Sequence, residues 1–181
     1  DVRGEGAITV PAKLITNYIS LLTDEKVELS VTEGVSLSVD SSTSHTKIKC
    51  ISADEFPLIP KIEKDKQFSV KVDDFYKATT ETVFAASLNT TRPVLSGVFM
   101  KTSGDRMVLA ATDSYRLAEN SLKISGGGKE DITSIVPAKT MMELAKILSK
   151  SGEKEVKVNI SKNQILFSVD GIELISRLIE G

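Results

Sequence analysis

Two short stretches of this chain hold the residues best suited to chemistry or recognition. Residues 89–97 read NTTRPVLSG and residues 111–118 read ATDSYRLA. Both look like junctions between a loop and a strand. Arg92, Leu95, Tyr115, Arg116 and Leu117 mix apolar surface with guanidinium groups, the composition of a peptide-binding hot spot. The same residues also fit ordinary strand ends whose arginine stems lie along apolar surface, and composition leaves both readings open. Asp113, Ser114 and Tyr115 could serve a small hydrolase or transferase. Such an enzyme needs a general base and a stabilising donor, and the sequence offers no base beside them. His45 is the sole histidine and sits in the Ser/Thr-rich stretch 41–46, so it reads as a surface-loop residue. One histidine and one cysteine cannot make an ordinary zinc site. Gly126-Gly127-Gly128-Lys129 fails the phosphate-loop pattern, which needs glycine where Lys123 stands and Ser or Thr where Glu130 stands. No catalytic residues, metal or cofactor are expected.

The cations form a second group. Lys13, Lys139, Lys146 and Lys150 fall on the polar sides of two helical patterns. Helices lining one surface would bring these lysines to a shared partner, and contacts to phosphates supply affinity that salt weakens and that carries no sequence information. A lysine face is ordinarily just solvated, and Glu81 and Glu143 dilute this one. The formal net charge of −2 argues against a chain that is basic all over. It leaves room for a basic face balanced by an acidic one.

The elements that must position these residues are organised by a repeat. Residues 135–149, IVPAKTMMELAKILS, read as a strand end, Pro137 at the first helical position, and an amphipathic helix. Met141, Leu144, Ala145 and Leu148 recur at helical spacing as the buried stripe. Residues 8–22, ITVPAKLITNYISLL, repeat the Val-Pro-Ala-Lys word and place Ile15, Tyr18, Ile19, Leu21 and Leu22 where the later copy has Met141, Leu144, Ala145, Ile147 and Leu148. The next segments also match: 26–40, KVELSVTEGVSLSVD, aligns with 155–170, EVKVNISKNQILFSVD, with one extra residue near the turn. Internal repeats of this length set the architecture.

In chain order, the first helix is expected over 12–22. Strands follow through Val27, Leu29 and Val31, through Val35, Leu37 and Val39 after a Glu33-Gly34 turn, and over 46–52 with Ile48, Cys50 and Ile51 as burial candidates. A linker covers 53–66. Then come a strand at 67–72, a helix over 74–87 capped by Asp73, and strands at 94–102, 106–112 and 117–124. A Gly-rich connector, 125–131, leads to the last unit. The pattern predicts an α+β fold of three βαβββ units at about 1–57, 66–124 and 131–181. Paired units would make residues 61–181 one complete domain and residues 1–60 half of another.

Apolar content of 40% and charged content of 27% are ordinary for a globular protein with a real core. The lone Cys50 excludes an internal disulfide and points to a reducing compartment, with cytoplasmic location the expectation. No apolar run is long enough to span a membrane. Starting at Asp1 and ending at Gly181, the sequence reads as a fragment of something longer.

Val-Pro-Ala-Lys before an amphipathic helix, Asp54-Glu55-Phe56-Pro57, Ala111-Thr112-Asp113-Ser114-Tyr115-Arg116-Leu117-Ala118 and the ending Ser176-Arg177-Leu178-Ile179-Glu180-Gly181 together resemble the bacterial sliding clamp, the beta subunit of DNA polymerase III. The resemblance spans the chain in order, and the ATDSYRLA segment is its most specific part. It implies the DNA-clamp fold, with 1–60 the second half of a first domain and 61–181 the middle domain. It further implies a non-catalytic processivity factor, a homodimeric ring around double-stranded DNA in the full-length protein. DNA would be met by Lys13, Lys139 and Lys146, with Lys77, Lys150 and Asn89 beside them. DNA polymerase subunits, the clamp loader and repair proteins would dock linear peptides on Arg92, Leu95, Thr112, Ser114, Tyr115, Arg116 and Leu117. The chain departs from the family's commonest pattern at Ser114, often glycine, and Tyr115, often histidine. A chain of this extent is expected to bind such peptides more weakly than the whole clamp, and to slip from circular DNA. The open edge of residues 1–57 is expected to invite dimers.

Overall fold

A computed structural model describes residues 2–32, 35–57, 66–89, 91–127 and 131–181. The Glu33-Gly34 turn, most of the 53–66 linker and part of the 125–131 connector lie outside the described residues. The chain divides into two compact units, Asp1–Pro60 and Lys61–Gly181.

In the first unit the order is β1 (Ile8–Thr9), α1 (Ala12–Leu21), β2 (Glu28–Thr32), β3 (Ser36–Asp40), β4 (His45–Lys49) and β5 (Ile51–Ser52). β2, β3 and β4 form one antiparallel sheet, and β1 pairs with β5. Cross-strand register puts Leu29 beside Val39, and Val31 beside Leu37, which is in turn beside Ile48. Since partners in an antiparallel ladder share a face, these residues make one apolar face. Only part of it is covered. Leu37, Val39, Ile48 and Cys50 are buried under Ile8, Val10, Ile15, Tyr18 and Val27, whereas Leu29 is 55% and Val31 62% exposed. The alternation along β2 is therefore real, but the burial expected of Leu29 and Val31 is missing. Ile51 also differs from expectation: the strand breaks at Cys50, which turns in, and Ile51 turns out. His45 belongs to β4 rather than to a loop, and its Nδ1 meets the Asp40 carboxylate directly across the ladder. That hydrogen bond holds the Asp40 carboxyl below the ordinary carboxylate range.

The second unit holds two complete repeats. The first is β6 (Lys66–Lys71), α2 (Val72–Val83), β7 (Gly97–Ser103), β8 (Arg106–Thr112) and β9 (Leu117–Ser125). The second is β10 (Ile132–Pro137), α3 (Ala138–Leu148), β11 (Glu155–Ile160), β12 (Gln164–Val169) and β13 (Ile172–Arg177). They form one eight-stranded antiparallel sheet in the order β10-β7-β8-β9-β6-β11-β12-β13. The first strand of each repeat pairs with the second strand of the other: β6 with β11 and β10 with β7. α2 and α3 pack side by side over one core with the sheet. Phe75 and Phe167, both essentially buried, meet there with ring centroids 5.9 Å apart. Each such side chain contributes about 1.5–3 kcal/mol of burial.

The predicted stripe of α3 is buried: Met141 and Leu144 are 0% exposed and Leu148 2%. Three local expectations shift. Pro137 is the last residue of β10, with ψ 132°, so the helix starts one residue later at Ala138. α2 begins at Val72 rather than 74, because β6 runs straight into it and the buried Val72 donates its N–H to the Lys154 carbonyl at 3.0 Å. Asp73 consequently lies in the first turn rather than at the cap, where a carboxylate still favours the helix N-terminus. Finally, 93–96 is a 3-10 turn and β7 starts at Gly97. Only glycine fits there, since a Cβ would meet Ile135 Cγ2 at 2.4 Å and Ile179 Cδ1 at 2.9 Å.

Candidate functional site

The β7–β8–β9 meander decides where the first group of residues sits. Phe99 stands opposite Ala110, and Thr112 opposite Leu117. Antiparallel pairing therefore places the start of β7, the end of β8 and the start of β9 at one end of the sheet. The Pro93–Ser96 turn enters β7 at that end, and residues 113–116 connect β8 to β9 there. The segment after α2 joins them, because Ser87 N–H bonds the Leu95 carbonyl at 2.8 Å. Arg92, Leu95 and residues 112–117 thus gather at one sheet end, as the two sequence stretches suggested.

The 113–116 connection is held by its own polar groups. Thr112 Oγ1 donates to the Arg116 carbonyl at 2.7 Å and accepts the Ser114 N–H at 3.1 Å. Asp113 Oδ1 accepts the N–H groups of Tyr115 and Arg116, each at 3.0 Å, and Oδ2 accepts Arg116 Nε–H at 3.1 Å. The Tyr115 N–H, then the Arg116 N–H and charge, keep the Asp113 carboxyl below its ordinary value. Asp113 is therefore an ionised turn-former committed to backbone donors, a poor base for Ser114. With the backbone fixed, the apolar side chains point outward: Tyr115 is 98% and Leu117 69% exposed. Ser114 carries φ 78°, in the left-handed region that glycine adopts without strain. That explains physically why glycine suits this position.

Phe84 completes the patch and escaped the sequence reading. The sequence suggested a helix through 87, but α2 ends at Val83 and Phe84 is 57% exposed. The Arg116 guanidinium carbon lies 5.6 Å from its ring centroid, a cation–π contact. The available signal was periodicity: the buried face of α2 is Val72, Phe75, Ala78, Thr79 and Thr82, and position 84 falls off it. Exposed Val94 and Leu88 extend the apolar surface around the Pro93–Ser96 turn and the segment before it.

The lysines fall on the helix layer. Lys77 on α2, Lys139 and Lys146 on α3, and Lys150 just beyond α3 are all exposed, while the opposite helix faces sit in the core. Lys146 is paired with Glu143 at 2.9 Å. Glu143, Lys146, Lys150 and Asp170 also border a cavity of about 240 Å³ at the end of α3. The cations there are partly balanced by carboxylates. Lys13 lies exposed on α1 of the first unit. Asn89 is exposed, and its Oδ1 accepts the Thr91 N–H at 2.9 Å, which closes a local turn. Among the described residues no group of three or more His, Cys, Asp and Glu could hold a metal ion.

An α+β fold of paired βαβββ repeats, with cations on its helix layer and an exposed apolar-arginine patch at one sheet end, defines a class: the sliding clamps. The model of the DNA polymerase III beta subunit central domain matches residues 69–181. The chain belongs to the DNA polymerase III beta subunit family. A beta sliding clamp of Staphylococcus epidermidis is 32% identical over the entire chain, which covers 48% of that relative. The DNA polymerase sliding clamp of Bacillus subtilis superposes over the entire chain with TM-score 0.89 at 29% identity, with 47% of that structure covered. A Pseudomonas aeruginosa sliding clamp bound to griselimycin gives TM-score 0.90 at 26% identity, again over the entire chain and 49% of that structure. The chain spans about half the length of the relatives it matches.

Proposed function

We propose that this chain is part of a replicative processivity factor: a non-catalytic clamp that encircles duplex DNA and docks DNA polymerase subunits, the clamp loader and repair proteins through linear peptides. Residues 1–60 would be the second half of a first clamp domain and 61–181 the middle domain. The observation that carries the docking role is the outward presentation of Tyr115 and Leu117 from a turn immobilised by Thr112 and Asp113. A rigid backbone that holds aromatic, leucine and arginine side chains in water loses little entropy when a peptide covers them. Arg92, Leu95, Thr112, Ser114, Tyr115, Arg116 and Leu117 form the site, with Phe84 added from the structure. Lys13, Lys139, Lys146, Lys77, Lys150 and Asn89 would face DNA phosphates. Their exposure, with Lys146 paired to Glu143, suits a weak attraction along which a duplex slides. In the full-length protein the ring would be a homodimer. A cytoplasmic setting agrees with the single buried Cys50, and no helix among the described residues is long and apolar enough to cross a membrane.

The test is a titration of a labelled clamp-binding peptide followed by residue-resolved NMR. Shifts should cluster at Phe84, Arg92, Leu95 and 112–117. Tyr115→Ala with Leu117→Ala should weaken binding at least tenfold while leaving the unfolding midpoint unchanged. A folded chain whose patch stays silent, together with an extended chain that also fails to bind, would overturn the docking role.

A further inference from the structure

The two repeats of the second unit match position by position, and the match carries the exposed patch of the first repeat onto a second place. The buried stripes of α2 and α3 run in the same spacing, from Val72 to Thr82 and from Ala138 to Leu148. Thr112 pairs with Leu117 across one turn, and Val169 with Ile172 across the other. Phe84 therefore corresponds to Lys150, Asp113 to Asp170, and Leu117 to Ile172. Those three counterparts, with Ile147, border the cavity of about 240 Å³ at the end of α3. We infer that this cavity is a second docking site for linear peptides, one that takes an apolar side chain flanked by a carboxylate. The inference rests on the reading of the first patch as a place where peptides dock.

The two places differ in what their turns leave free. Asp113 commits its carboxylate to the N–H groups of Tyr115 and Arg116 in its own turn. The turn after β12 is only Asp170 and Gly171, and among the described residues the Asp170 side chain makes no hydrogen bond or ion pair. The Lys150 ammonium is equally uncommitted, whereas Lys146 is paired with Glu143. The cavity thus offers one ammonium and one carboxylate beside an apolar pair, of which Ile172 is 47% exposed. A peptide answers all of these: its carboxylate meets Lys150, a backbone N–H meets Asp170, and an apolar side chain covers Ile147 and Ile172. Hydrogen bonds with one ionised partner are the stronger kind. The volume suits a single anchoring side chain, being below the roughly 300–1,000 Å³ of small-molecule pockets. The chain enters this half of the sheet at Lys66, level with Ile160, and leaves it beyond Arg177, level with Gln164. Both points lie at the end away from the Asp170-Gly171 turn, so neither adjoining segment starts beside the cavity.

Residue-resolved NMR of the chain tests this with the blocked tripeptide acetyl-Glu-Leu-Gly-amide, while a parallel titration with the clamp-binding peptide reports on the first patch. The tripeptide should shift Ile147, Lys150, Ser151 and residues 170–172 in a saturable way. Replacing its Glu by Gln, or Lys150→Gln in the protein, should weaken binding at these residues about fivefold. Replacing its Leu by Ser, or Ile172→Ala in the protein, should weaken it about tenfold. Silence at the cavity would overturn the inference whatever residues 112–117 do. So would equal binding of the three tripeptides, or binding indifferent to Lys150→Gln and Ile172→Ala. A response at the cavity with silence at 112–117 would support this site and count against the docking reading of the first patch alone.

Discussion

α1 and α3 open with the same residues and end in different environments. Both follow Val-Pro-Ala-Lys and carry an apolar stripe at matching positions. On α3 the stripe is sealed, with Met141 and Leu144 at 0% exposure. On α1 no residue is buried, and Leu21 is 81% exposed. The sheets repeat the contrast: Val158 of β11 is fully buried, and its counterpart Leu29 of β2 is not. Periodicity therefore selects which face of an element is apolar. Whether that face is covered depends on a second repeat, which α3 has in α2 and the β6–β9 half of the sheet. Most helical stability in proteins comes from such packing rather than from propensity.

The comparison predicts unequal responses to equal changes. Leu144→Ala should cost about 2–5 kcal/mol in denaturant unfolding, whereas Leu21→Ala, measured at dilutions where the chain is monomeric, should stay within about 0.5 kcal/mol. Equal losses would break the contrast. Gly97→Ala should destabilise by about 1–3 kcal/mol, because the methyl would strike Ile135 and Ile179. Gly6→Ala, with nothing within 4 Å, should be neutral or slightly stabilising by thermal melting. Ser114→Gly should relieve the φ 78° backbone and change stability by less than about 1 kcal/mol, with Thr112 and Asp113 still closing the turn. A loss well above that size would show that the serine hydroxyl has a structural duty.

The smallest effect concerns acid. In the first unit Asp24 accepts hydrogen bonds from Ser42 and from Thr43 Oγ1, the latter at 2.9 Å, and its pKa is lowered to about 2, chiefly by Ser42. A depressed folded-state value stabilises above the unfolded value near 3.8 and loses that contribution as pH falls through about 2. NMR titration of the Asp24 carboxyl should show the low midpoint, and Ser42→Ala should raise it. An unshifted midpoint would mean that the 41–44 turn is not tied to Asp24.

Much of the molecule was legible from local signals. Richness in Val, Leu and Ala marked β8 as Arg106–Thr112, and 3.6-residue spacing marked the buried face of α3. The candidate site was legible in part. Arg92, Leu95 and 112–117 stood out by composition, but their meeting depends on the antiparallel register of β7, β8 and β9, which no local pattern encodes. Phe84 was missed because the end of α2 is set by three-dimensional packing. The helix has no glycine or proline to stop it, and its last turn closes through Ala85 N–H to Thr82 O and Ala86 N–H to Val83 O. The start of β7 was misplaced because the Val94-Leu95 pair resembles the start of a strand until Ile135 and Ile179 crowd Gly97.

By itself the sequence determined the repeat, the order of elements, the polar and apolar face of each, and through the ATDSYRLA segment the family. These follow from covalent geometry and side-chain spacing, which are fixed before any long-range contact forms. Tertiary structure alone decided which apolar faces are buried, where the helices begin and end, and that Asp113 is a turn-former rather than a base. Each of those outcomes depends on groups distant in sequence or on backbone donors whose direction only the folded chain sets.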